Sequence, residues 1–154
     1  MYLETIDRFS DLAEKKAGLV NDNPFSFFVG AMMAGAYVGM GILLIFSLGG
    51  QVDTSVRPIV MGVSFGIALT LVVFAGSELF TGLIMTMAFG WLRNKVGLGD
   101  VFYALGFCWL GNLVGAVLIA SLFAAGGGGA LSGDSADLLN GVASSKMNRS
   151  PIEL

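Results

Sequence analysis

Apolar residues fill three long blocks of this chain, and polar ones gather at its two ends and in two short gaps. The first segment has a different pattern. From Tyr2 to about Ala17, Leu3, Ile6, Phe9 and Leu12 recur at helical spacing, while Glu4, Asp7, Arg8, Asp11, Glu14 and Lys15 take the other face. That alternation predicts an amphipathic helix within 1–24, lying on a membrane surface or against a subunit. Asn21, Asn23 and Pro24 end it, because proline removes a helical donor and restrains the residue before it. A first uncharged span follows at about 25–48, with Ala31, Gly35 and Gly39 in one row, as expected of helices that approach closely in lipid. A short loop with Gly49, Gly50 and Asp53 then leads to Arg57 and to Pro58, which suits a first helical turn.

The second block, 58–92, is too long for one plain crossing. Between Arg57 and Arg93 the only charged residue is Glu78. Those roughly 35 residues would make a straight helix of about 50 Å against a hydrocarbon core of about 30 Å. Two full spans need about 40 apolar residues and an aqueous turn, which the run lacks. A break within the membrane remains, centred on GSELFTG. Gly76, Ser77 and Gly82 tolerate non-helical dihedrals there, and broken backbone at that depth survives only where protein buries it or a wet cavity faces it. The stretch reads as the wall of a transport path. Glu78 is placed to accept hydrogen bonds from freed amides, and a scaffold for the loop is favoured over direct contact with an anion, which it would repel. Gly62, Gly66 and Thr70 form a small-residue row, with Phe65 and Leu69 on an adjacent stripe. Periodicity alone leaves that stripe facing either lipid or a pore.

The third span, about 101–124, carries Asn112, Ala116, Ala120 and Ala124 on one row, with Gly111 and Gly115 on the next. Trp91 suits an interfacial anchor, whereas Trp109 lies too deep and is expected to pack. Gly126 to Ser145 reads as a flexible polar connection, part of a 126–154 segment that ends in the start of a fourth span. On charge alone, Lys146 and Arg149 are solvated. Five of the eight cations (Arg8, Lys15, Lys16, Arg93 and Lys95) share one side, which predicts a cytoplasmic amino terminus and a single crossing for the broken block.

Composition narrows the class. In 154 residues, 55% are hydrophobic, 12% are charged and the mean hydropathy is +0.81, so this is an integral membrane protein of the lipid bilayer. A net charge of −3 without basic clusters argues against nucleic acid. Cys108 is the single cysteine, which excludes a disulfide framework or a cysteine metal site. No set of nucleophile, base and orienting group suggests an enzyme, and no cofactor is expected. The charged first twenty residues predict no cleavable signal peptide.

VFAGSELFTG, Val73 to Gly82, resembles the first signature of the formate/nitrite transporter family. MAGAYVGMGILLIF in the first span and WLGNLVGAV in the third extend the resemblance over nearly the whole chain, and the strings are most similar to the bacterial nitrite-channel branch. The resemblance implies an all-α, aquaporin-like fold of six spans in two inverted halves, of which this sequence supplies the first; a piece of a longer chain is expected, in preference to a half-length product that pairs with another. It implies a homopentamer in the bacterial inner membrane, carrying nitrite or formate. Phe65 then matches the aromatic that narrows the outer pore, and Leu69 and Leu79 match the inner constriction. Phe80 lies on the same path, Thr81 matches the threonine of the mobile loop, and Lys146 matches a lysine at the outer mouth. The family's second half brings a histidine as proton partner, so these residues alone are expected to conduct nothing. A non-transporting membrane assembly subunit is the competing class, but such a protein needs no helix broken in mid-membrane.

Overall fold

The structure, a computed structural model, describes residues 2–129 and 131–149. Its secondary structure among those residues is helical: α1 (Tyr2–Asp22), α2 (Pro24–Gly49), α3 (Arg57–Phe74), α4 (Phe80–Leu92), α5 (Leu98–Ala125) and α6 (Asp134–Met147). α2, α3 and α5 are long and apolar enough to cross a membrane, and α4 is a shorter apolar helix. The interrupted run is thus two helices, α3 and α4. The expected start of a fourth span falls on 150–154, outside the described residues.

Local chemistry sets the helix ends. Asn23 caps α2 by accepting the Ser26 N–H at 3.1 Å, and Pro24 occupies the first turn, where its missing donor costs nothing. Before α3, the Asp53 carboxylate accepts the Ser55 amide at 2.8 Å and its hydroxyl at 2.6 Å. Those two bonds hold the Asp53 carboxyl below the usual carboxylate range.

The small-residue rows bring α2 and α5 together. A Cβ added at Gly35 would stand 2.0 Å from Asn112 O, and one at Gly115 would stand 1.9 Å from Met32 O. Nothing larger than glycine fits those crossings, so backbone meets backbone there. α3 leans on α2 by the same device, because Gly41 admits the Ala68 methyl and the Phe65 ring. Gly62 and Gly66, by contrast, face no atom within 4 Å, so that row is open in this chain. Trp109, expected to pack, is 51% exposed within this chain alone.

α1 is part of the same body. It runs back along α4, with Ser10 Oγ donating to Phe89 O at 3.3 Å, Phe9 stacked on Phe89 at 5.8 Å, and Ala13 against Gly90. Its buried stripe is Ser10, Ala13, Ala17 and Val20. Of the large apolar stripe read from the sequence, Phe9 stacks on Phe89, while Leu3 is 68% and Leu12 38% exposed. Gly90 lets α1 come near enough for the Ala13 methyl to sit against it. Arg93 pairs with Asp7 at 2.6 Å, and Lys95 with Asp11 at 3.2 Å and Glu14 at 3.4 Å. Asp11 and then Glu14 hold the Lys95 ammonium above the usual lysine range.

Residues expected to be a flexible connection are in part a helix. Asp134 and Asp137 fill the first turn of α6 and Lys146 its last, both favourable to the helix dipole. Ser135 Oγ donates to Ser47 O at 3.2 Å, and Leu138 closes on Gly49, which docks α6 on the end of α2.

Gly115→Ala should push α5 off α2 and lower stability by about 2 kcal/mol, the usual scale of overpacking. Gly62→Ala should be neutral or slightly stabilising, since alanine is the better helix former and meets nothing there. Thermal unfolding of both variants in detergent checks this; equal effects would contradict the packing described.

Candidate functional site at the helix interruption

α3 stops in an orderly way. Gly76 lies at φ +62, Ser77 N–H donates back to Val72 O at 3.0 Å, and Gly76 N–H donates to Val73 O at 3.1 Å. This is a Schellman termination, which satisfies carbonyls that a helix end would otherwise leave bare. The chain is then extended, with Leu79 at φ −91 and ψ 128, and α4 starts at Phe80. Between the two helices the backbone has lost its own ladder. Other helices supply the partners.

Glu78 is held at every polar group. Its N–H donates to Gly30 O of α2 at 3.2 Å. Its carbonyl accepts Asn112 Nδ2 at 2.9 Å and the Cys108 thiol at 3.1 Å, both from α5. Its carboxylate pairs with Lys16 of α1, the two side chains being 12% and 18% exposed. Asn112 does the most binding: Nδ2 also donates to Ala31 O at 2.9 Å, while Oδ1 accepts the Phe80 N–H at 3.0 Å. A single carboxamide thus ties α2, the interruption and the start of α4 to α5. The Gly35 and Gly115 crossings bring it within reach.

The residues predicted from the sequence fall in three places. Gly76, Ser77, Glu78, Leu79, Phe80, Thr81 and Gly82 form the interruption and the first turn of α4. Thr81 and Gly82 are exposed, Leu79 is partly so, and Phe80 is partly buried against the cluster of Phe27, Leu83 and Met87. The Ser77 hydroxyl is buried without a partner among the described residues. Phe65 and Leu69 stand on α3, the first half-buried by Gly41 and the second exposed. Lys146 is exposed on the last turn of α6, a helix docked on α2.

Sequence reasoning placed Asn112 in a packing row, counted Lys16 only as a cation and dismissed Cys108. Asn112 did carry a signal. An amide side chain in a charge-free span must find hydrogen-bond partners, and it lies one turn from Gly115.

Discontinuous membrane helices whose ends are held by organised polar groups mark membrane transport proteins as a class. The sequence profile described as Formate/nitrite transporter matches residues 3–154, and the chain belongs to that family. It is 49% identical over 146 residues to "Nitrite transporter NirC" of Escherichia coli (strain K12), an alignment covering 95% of this chain and 54% of that one. The protein of the same name from Salmonella typhimurium is 48% identical over 146 residues, with the same coverage. A solved structure described as "FNT family ion channel" matches with a TM-score of 0.80 at 50% identity, over 82% of this chain and 51% of that chain. The chain spans about half the length of the curated relatives it matches.

Glu78→Gln and Lys16→Met should each lower stability by about 3 kcal/mol, because either leaves one buried charge alone. The double variant should lose clearly less than the sum. Thermal unfolding of all four proteins measures the coupling, and strict additivity would show the pair to be unlinked.

Proposed function

We propose that this chain forms one half of a path for a small monovalent anion, nitrite above all, with formate as a related cargo. One observation carries the reading: a helix interrupted in an apolar run, with the donors at its restart left free. The Phe80 N–H is taken by Asn112, but those of Thr81 and Gly82 meet no acceptor among the described residues. Backbone donors at a helix start favour an anion, and the positive end of the α4 dipole adds to this. Glu78 does not oppose them, since Lys16 neutralises it.

Phe65, Leu69 and Leu79 supply the apolar part of the path in this reading, with Phe80 behind the loop and Thr81 at its edge. Such side chains replace none of an anion's hydration, and a bare charge in low-dielectric surroundings is penalised by about several kcal/mol even after relaxation. Protonation to nitrous or formic acid removes most of that cost. Transport is therefore linked to a proton: Lys146 raises the anion concentration at the outer mouth, the free amides and Thr81 order it, and the neutral acid passes. Gly76 and Gly82 flank the loop and absorb the dihedral changes that its movement needs.

In liposomes, with the chain expressed over the whole of its reading frame, nitrite uptake should carry protons and register on an internal pH dye. Thr81→Val should slow it roughly tenfold, about one lost hydrogen bond to a charged group, and Phe65→Ala should broaden its selectivity. Proton-free uptake that neither variant alters would sink the mechanism.

The assembly and setting belong to the same reading: a homopentamer in the bacterial inner membrane, with segment 1–24 and the Arg93/Lys95 loop in the cytoplasm and residues 126–149 outside. An impermeant thiol reagent applied from outside should label Ser132→Cys and spare Lys15→Cys, and native mass spectrometry should give five copies. Labelling of Lys15→Cys alone overturns the orientation, and a mass below five copies overturns the assembly.

A further inference from the structure

The carbonyl of Glu78 has two lone pairs, and α5 fills both, one from Asn112 and one from Cys108 a turn earlier. Cys108 is fully buried in the cluster that also holds Phe27, Leu83 and Met87. Alanine or valine would fill such a position without a polar atom. A thiol there adds one directed contact, 3.1 Å to the carbonyl one residue before Leu79 and three before Thr81. We propose that Cys108 is a positioning residue: through Glu78 it fixes where Leu79 and Thr81 stand at the edge of the path, and it does so with a donor weak enough for the loop to leave.

The two donors on that carbonyl divide the work. Asn112 also holds Ala31 O and the Phe80 N–H, so releasing it undoes three bonds and loosens α2 from α5. The thiol holds nothing else in the interruption. Its loss leaves the Glu78 carbonyl on the Asn112 donor alone, with more room to move, while the helices stay packed. A thiol is a weak hydrogen-bond donor, so the rest position is favoured without being locked.

The inference rests on the transport reading for its consequence, but its first measurement does not. In lipid nanodiscs, hydrogen exchange of the amides from Glu78 to Thr81 should rise on the order of fivefold in Cys108→Ala, the effect of one weak bond. Cys108→Ser keeps a donor and should bring exchange back to within about twofold of the parent. Amides of 113–118 on α5 should not change in either variant. Equal loosening of 113–118 in Cys108→Ala, or a serine variant that folds and fails to rescue, would show a packing effect and overturn the proposal. Nitrite uptake is then measured on the same variants, with Cys108→Ala expected to raise the apparent KM more than it changes the maximal rate. Uptake altered without any change in loop exchange also overturns the proposal. The expected exchange order in a protein that carries no nitrite would uphold the positioning role and refute the transport reading alone.

Discussion

A backbone amide or carbonyl without a partner at membrane depth costs about several kcal/mol, and a helix interrupted there exposes a handful of them. The architecture of this chain follows from that constraint. α3 ends in a turn that recovers its own carbonyls, and the Glu78 N–H and carbonyl and the Phe80 N–H are taken by a carbonyl of α2 and side chains of α5. Asn112 is central because a carboxamide offers two donors and an acceptor in one plane, which matches a site presenting two carbonyls and one N–H. The glycines of α2 and α5 serve the same end: without crossings at Gly35 and Gly115, Asn112 would stand too far from Ala31 to join the network.

Charge is treated by the same logic. Glu78 would be costly alone among apolar helices, and the chain brings Lys16 to it on a helix that is otherwise amphipathic and outward-facing. For Lys16 to reach, α1 must lie close along α4, which Gly90 permits and the pairs of Arg93 and Lys95 hold in register. The exposed pairs contribute little energy individually. Their value is geometric, fixing the sliding position of α1 so that the buried pair can form.

Glycine rows in this protein therefore have two different meanings. Gly35, Gly111 and Gly115 are filled crossings, where an added methyl strikes backbone or the Ala31 side chain. Gly62 and Gly66 on α3, and Gly76 and Gly82 about the interruption, have nothing within 4 Å. The first set fixes the scaffold, and the second leaves backbone with open space beside it.

The amino-acid sequence by itself determined the class, the spans, the interruption and the family. Each of these is written locally: a charge-free block against membrane thickness, glycines inside a run too long to be straight, a contiguous signature. It also led to the expectation that Glu78 serves the loop as a scaffold, because an acid facing an anion would repel it. Only the tertiary structure decided which residues complete that scaffold. The pairs Lys16 with Glu78, Asn112 with Ala31 and Cys108 with the Glu78 carbonyl join residues 62, 81 and 30 positions apart. No periodicity spans such separations. The face of α1 that docks on α4 depends on the same kind of distant pairing, since Gly90 is what admits Ala13 of the stripe Ser10, Ala13, Ala17 and Val20. α6 formed where composition suggested a loop, since its docking on Ser47 and Gly49 outweighs its weak local propensity.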